Sequence, residues 1–252
     1  MIDRKTTKEL LAAALRLADA RPDRNVPSPS SVSKCTRQNW FKAKGTAKTN
    51  QPDNGESVIA AETGRLSEAF LIRVVEEAGL GVPVYVTEDE SLRELSAAEL
   101  EEVSMKGGQV DNIIRPDDGE RFLVEFKRKG VFDMLDLLRD GLREAKPDEF
   151  IQMQSLMHAK GLTRGLYIAA NWDRGSFTSR VRKWDERPDG LYAEWVPYSR
   201  PAALAAKVRA EMQTKLIEEE EDPARVPRDY DPFEGKFPCS WCPHWDVCKK
   251  VG

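Results

Sequence analysis

Asp111, Glu125 and Lys127 are the residues whose types and spacing could do chemistry. In Arg121 to Lys127 (RFLVEFK), a period of two puts Phe122, Val124 and Phe126 on one face of a strand and Leu123, Glu125 and Lys127 on the other. Gln109 to Ile114 (QVDNII) is also strand-like, and the Pro, Asp and Gly of Arg115 to Glu120 form a turn between the two. Such a hairpin would bring Asp111 beside Glu125. Adjacent carboxylates repel unless a cation lies between them, so a divalent metal held by oxygen ligands is the natural occupant. The same pattern also describes a solvated strand face with an ion pair of little energetic worth, and on these residues alone both readings stay open.

A second group with chemical capacity lies at the far end of the chain. Cys239, Cys242 and Cys248 form a C-x2-C-x5-C tract, and Cys35 is the only other cysteine. All four are accounted for by one four-ligand site. Two disulfides would suit a small secreted chain better than this one. A zinc site normally adds a second C-x2-C half or histidines, whereas three clustered thiolates and one distant one fit an iron-sulfur cubane at least as well. Spacing does not settle the metal. Joining residue 35 to residue 239 is affordable, because loop closure costs only about 0.6 kcal/mol per doubling of length. The site therefore reads first as structural. Trp241, Pro243 and Trp245 are expected around the ligands, with His244 as a surface neighbour.

Composition narrows the classes. The chain has 252 residues, 40% of them hydrophobic and 33% charged, with net charge -4 and a pI near 5.5. That balance argues against coating nucleic acid by bulk electrostatics and leaves room for local basic grooves. Arg37, Lys42, Arg128 and Arg180 are candidates for phosphate contacts. There is no apolar run of about 18 residues and no signal-peptide core, so a cytoplasmic protein without a membrane span is expected.

The elements that must position these residues follow from periodicity. Helices are expected over Thr6 to Ala20, from Ser31 through Phe41, and over Ala60 to Gly79, where Leu66, Phe70, Ile72, Val74, Val75 and Ala78 form the apolar stripe. Lys42 to Glu56 reads as an exposed polar loop. Val82 to Glu88 is a strand and Ala97 to Val103 a short helix; after the hairpin come helices over Val131 to Leu142 and Asp148 to Gly161, then the buried strand Leu166 to Ala170. Further strands fall around Ser179 to Lys183 and Leu191 to Val196, and Pro201 to Glu221 is a charged, solvated helix. Strand, strand, helix, helix, strand makes a mixed α/β core. The expected parts are an N-terminal helical segment (1–60), a core (61–200) and a C-terminal helix with the cysteine segment (201–252), integrated as one domain.

With Asp111, Glu125-Phe126-Lys127, one early cysteine and three late ones in this order, the sequence resembles the RecB-like branch of the PD-(D/E)XK nucleases. Within it, the chain is similar to the iron-sulfur exonucleases associated with CRISPR adaptation and their phage relatives. Ser28 to Arg37 looks like the family's N-terminal cysteine motif. Glu68, in Gly64-Arg-Leu-Ser-Glu68, stands where the family has a histidine ligand, and Gln152 heads the Gln-x3-Tyr motif, with Leu156 in place of the tyrosine.

The resemblance implies a restriction-endonuclease-like mixed central sheet flanked by helices, followed by a C-terminal cysteine-rich metal-cluster segment. It implies a metal-dependent deoxyribonuclease, an exonuclease hydrolysing phosphodiester bonds at single-stranded ends or overhangs in recombination, repair or CRISPR and phage DNA processing. Asp111, Glu125, Glu68 and the Phe126 carbonyl would hold Mg2+ or Mn2+; Lys127 and Gln152 would assist. Cys35, Cys239, Cys242 and Cys248 would hold a 4Fe-4S cluster, with zinc the alternative. DNA is the implied partner, together with recombination or CRISPR-adaptation proteins. The competing account is a non-catalytic DNA-end-binding or recombination adaptor on the same fold.

Overall fold

The computed structural model describes residues 27–50, 55–86, 92–94, 113–117, 119–171, 190–230 and 238–251. The chain divides into two compact units, one of Met1–Ala61 with Pro201–Gly252 and one of Glu62–Arg200. The helix expected from Thr6, the short helix from Ala97, the strand around Ser179, and Asp111 itself lie outside the described residues.

The second unit holds a six-stranded sheet. Its strands are β1 (Val82–Val86), β2 (Leu92–Glu94), β3 (Ile113–Arg115), β4 (Phe122–Lys129), β5 (Arg164–Asn171) and β6 (Leu191–Pro197), in spatial order β2-β1-β3-β4-β5-β6. Only β4 and β5 pair in parallel; the other neighbours are antiparallel. Parallel neighbours need a crossover, and here it consists of the helices at Val131–Ala145 and Pro147–Lys160.

Helices cover both faces of this sheet. Ile114, Phe122, Val124, Phe126, Leu166 and Ile168 make one apolar cluster with Ile72 and Val75, which lie on the helix Gly55–Glu77. The stripe expected on that helix is narrower than its sequence suggests. Ile72 and Val75 are buried, but Phe70 and Val74 are exposed: four residues apart, they share a different face from the 72/75 pair.

We label the helices in chain order as α1 (Thr36–Ala43), α2 (Gly55–Glu77), α3 (Val131–Ala145), α4 (Pro147–Lys160), α5 (Arg200–Glu219) and α6 (Trp245–Lys250). α3 is broken at Gly141, whose φ of 74° is non-helical, and the Leu142 N–H turns out to donate to Glu194 at 2.8 Å. α4 is locally well specified. Proline sits in its first turn beside Asp148 and Glu149, and Gly161 ends it in the left-handed conformation. Its buried residues Phe150, Met153, Gln154 and Met157 recur at helical spacing. Gln154 anchors it further, donating to the Pro197 carbonyl at 3.1 Å and accepting from Ser199 N at 2.6 Å.

In the first unit, α1 begins at Thr36, later than expected, with Cys35 at the N-cap and no side-chain cap. Ser28 to Ser31 instead forms a turn closed by the Ser31 side chain, which accepts from Ser28 N at 2.8 Å. Trp40, Phe41 and Val226 form this unit's apolar cluster, joined by Ile217, Val247, Cys248 and Val251. Among the described residues, no helix is long and apolar enough to cross a membrane.

Gly165 sets the seating of α4. A Cβ there would come within 2.7 Å of the Met153 methyl and 3.3 Å of the Leu123 carbonyl oxygen. Gly165→Val should therefore lower stability by about 1–3 kcal/mol, read as a reduced urea midpoint with unchanged slope.

Candidate active site and cysteine centre

Glu125 and Lys127 occupy the polar face of β4, opposite the cluster that takes Phe126. Glu125 is 9% exposed and interrupts a strand whose other central residues are apolar. A carboxylate so withdrawn from water needs partners. Lys127 Nζ stands 2.5 Å from Glu125 Oε1. Gln152, from α4, donates to the same oxygen at 2.9 Å and accepts from Lys127 Nζ at 3.3 Å. The three side chains thus close a triangle between one strand and one helix. A merely solvated face with a floppy ion pair is not what β4 carries.

Burial pulls the Lys127 pKa down, but the charge and hydrogen bond of Glu125 outweigh it, with Glu149 and Glu68 adding to the same effect, so the pKa ends above its ordinary value. Lys127 is therefore a cation at neutral pH. Glu68, on α2, belongs to this electrostatic neighbourhood. Phe126 sends its side chain into the apolar cluster, leaving only its backbone for any ligand role. Asp111 lies outside the described residues; Ile113, two positions along the chain, pairs with Leu123, itself two positions before Glu125.

Three residues that sequence reasoning missed support this centre. Glu149, one turn before Gln152 on α4, makes an ion pair with Lys129 and accepts from the Tyr167 hydroxyl at 2.6 Å. Tyr167 is wholly buried and sits in register with Glu125 on the neighbouring strand. Burial first, then Glu149, drives its pKa far up, so it remains a donor. Two signals could have found this arrangement. Glu149 precedes Gln152 by a helical turn, and LYIAA, read simply as an apolar strand, contains one hydroxyl that needs a partner.

Of the residues considered for phosphate contacts, Arg128 is exposed at the end of β4 and Lys42 is exposed on α1, while Arg180 lies outside the described residues. Arg37 does not fit that role. It is 3% exposed, and its Nε and Nη2 donate to the carbonyls of Val226 and Ala224 at 2.6–3.1 Å.

The other centre belongs to the first unit. Cys35, Cys239, Cys242 and Cys248 all line one small solvent-open pocket, together with Gln38, Phe41, Arg228, Tyr230, Pro238 and Trp245. None of the four is in a disulfide. Cys35 is held from α5: Arg209 donates to the Val32 and Lys34 carbonyls at 2.7 and 3.1 Å, and buried Gln213 accepts from Asn39 at 3.0 Å. The helix expected to be merely solvated therefore carries the fixings of the first cysteine. Cys239 opens a 3-10 turn, Cys242 closes it, and α6 carries Cys248.

Three expectations need correction here. Asn50, assigned to an exposed loop, donates to the Ser240 and Cys242 carbonyls at 3.1 and 2.9 Å, because a turn that opens its carbonyls outward needs donors. His244 is not a surface neighbour but 2% exposed, its ring packed 5.5 Å from that of Phe41. Of the two tryptophans expected around the cysteines, Trp245 does line their pocket, whereas Trp241 is 67% exposed.

The Cys242 thiol is pushed up to about 11, mainly by burial and further by the other three cysteines, against a hydrogen bond from the His244 backbone. Among the described residues, no three His, Cys, Asp or Glu side chains converge to metal-ligand distance, although the four cysteines share a cavity. The two facts are compatible, because neutral thiols have no reason to crowd and a bound metal would require their deprotonation. The donor set suits a thiophilic metal centre.

The molecule is thus a mixed α/β protein with a carboxylate, lysine and amide centre on its sheet and a four-cysteine centre in its other unit. No family model and no curated protein matches the chain. The chain is similar to a solved structure titled "Crystal structure of SSO0001", with a TM-score of 0.52 and 13% identity over 98% of both chains. At that identity the likeness speaks for the fold alone.

A raised thiol pKa has a direct chemical consequence. At pH 9 an ordinary thiol is half ionised, whereas one shifted to about 11 is almost wholly protonated. In metal-free protein, Cys242 should be alkylated by iodoacetamide roughly 10-fold or more slowly at pH 9 than in urea, the gap closing as pH rises through 11. Mass spectrometry of timed digests reads this directly.

Proposed function

We propose that the chain is a metal-dependent DNA exonuclease with a restriction-endonuclease-like core, acting on single-stranded ends or overhangs, and that its cysteines hold a 4Fe-4S cluster. The observation that carries the catalytic part is the triangle of Glu125, Lys127 and Gln152 at 2.5–3.3 Å. An acid, an always-charged lysine and an orienting amide, gathered where a strand emerges beside its parallel neighbour, are a suitable kit for phosphodiester hydrolysis.

Glu125 and Glu68, with Asp111 and the Phe126 carbonyl, are the residues that would hold Mg2+ or Mn2+; carboxylate and carbonyl oxygens suit such hard cations. When bound, the metal would polarise the phosphodiester and lower the pKa of a water. The chain's own contributions are separable. Lys127 stabilises negative charge on the phosphoryl oxygens, and its raised pKa keeps its proton in place while it does so. Gln152 fixes both partners at once, donating to Glu125 and accepting from Lys127. Tyr167 and Lys129 hold Glu149, and so the face of α4 from which Gln152 projects. Leu156 offers no hydroxyl, so substrate positioning falls to other groups.

For the cysteine centre, Cys35, Cys239, Cys242 and Cys248 would be the ligands, and a bound cluster would supply a covalent clasp between the early and late segments. Zinc is the competing occupant. Recombination and CRISPR-adaptation proteins are partners in keeping with such an activity.

The decisive assay is digestion of end-labelled single-stranded DNA with Mn2+, comparing open with end-blocked substrate. The wild type should shorten open ends and spare blocked ones. Lys127→Ala should abolish digestion, and Gln152→Leu should lower kcat by about 10–100-fold with a smaller change in KM. Digestion that persists unchanged in purified Lys127→Ala protein would remove these residues from catalysis. DNA binding without digestion by the wild type would favour the adaptor instead. Anaerobically purified protein should be brown and contain iron and sulfide; a colourless protein containing zinc would sink the cluster.

A further inference from the structure

We infer that Lys127 and Gln152 act in opposite senses on the affinity of Glu125 for a divalent metal. Gln152 strengthens it by fixing the carboxylate, and Lys127 weakens it by supplying the counter-charge that the metal would otherwise supply. The inference rests on the metal-dependent reading above and adds to it what sets the affinity of that site.

The two partners of Glu125 meet on one of its oxygens. Lys127 Nζ stands 2.5 Å from Oε1, and the Gln152 side-chain amide donates to the same atom at 2.9 Å. A carboxylate oxygen offers about two lone-pair sites, so Oε1 is filled and Oε2 is the atom left for a metal. Gln152 also accepts from Lys127 Nζ at 3.3 Å. The amide therefore holds the ion pair on Oε1 and keeps the carboxyl group from turning.

A carboxylate only 9% exposed calls for a positive partner. Lys127 meets that demand, and a dication at Oε2 is then separated from a fixed ammonium by the width of one carboxylate, where burial strengthens repulsion. Without the lysine, the metal is the counter-charge that remains, and the carboxylate holds it more tightly. Lys129, the other lysine on this face, is no substitute. It is paired with Glu149 Oε1, while Glu149 Oε2 accepts from the Tyr167 hydroxyl at 2.6 Å. Gln152 is uncharged, so its loss removes orientation but leaves the repulsion, and affinity falls.

The alternative is that both residues only stabilise the junction of β4 and α4, in which case either replacement loosens the site. Mn2+ alone, without DNA, separates the two. The full chain is titrated at about pH 8, well above ordinary carboxylate pKa values, with free Mn2+ read by electron paramagnetic resonance and folding by circular dichroism. Glu125→Gln should remove a Mn2+ site that wild type has. Lys127→Met should lower the Kd of that site about 10-fold, while Lys127→Arg, which keeps the charge, stays near wild type. Gln152→Leu should raise the Kd about 10-fold. An unchanged or weaker affinity in folded Lys127→Met overturns the proposal, as does an unchanged or tighter one in Gln152→Leu. If either variant fails to fold, Lys127→Gln and Gln152→Ala are held to the same criteria. A wild type with no Glu125-dependent Mn2+ site overturns the metal reading itself, which is distinct from a Glu125-dependent site that ignores Lys127.

Discussion

A carboxylate cannot sit nine-tenths buried on a central strand without a counter-charge and hydrogen-bond donors, and Glu125 meets that demand within a few ångströms. Much of the sheet unit is organised by the requirement. Lys127 must lie two residues on, on the same face. Gln152 must arrive from above that face, so α4 must be seated closely, which Gly165 permits and Gln154 secures. The crossover from β4 through α3 and α4 to β5 is the connection that parallel pairing imposes, and it returns the amide to the strand that carries the acid.

The cysteine unit obeys a different constraint. Its four cysteines come from two segments with no local reason to meet, so much of the unit's hydrogen bonding serves to hold the first segment in place. Arg209 and Gln213 grip the backbone before Cys35, Asp229 accepts from Thr36 N at 2.5 Å, and Trp40 reaches the Glu220 carbonyl at 3.0 Å. Polar side chains bonded to backbone carbonyls do the work that a larger apolar core would do elsewhere. This unit's described apolar cluster has three buried members, against eight around the sheet.

What could be read from the sequence followed from periodicity. β4, α4, β5 and β6 lie within two or three residues of their expected bounds because each has a plain apolar alternation or stripe. The Glu125 and Lys127 face was legible for the same reason, and Gln152 by its place in a motif. What could not be read depended on partners distant in sequence. Arg37 looked like a phosphate contact because nothing local says that Val226 will cover it. His244 looked superficial because its burial depends on Phe41. The break at Gly141 is masked by an apolar pattern that continues on both sides, and the role of Tyr167 appears only once β5 is in register with β4.

The composition of the cysteine unit also dictates an order of events during synthesis. Cys35 leaves the ribosome early, and its three companions follow only after the entire sheet unit has been made. Until they have emerged Cys35 is a lone thiol, and until residue 226 has emerged Arg37 lacks the carbonyl that it binds in the fold. The four thiols can therefore be gathered only late, and the nascent chain passes through an interval in which Cys35 and a guanidinium destined for burial are both still in water.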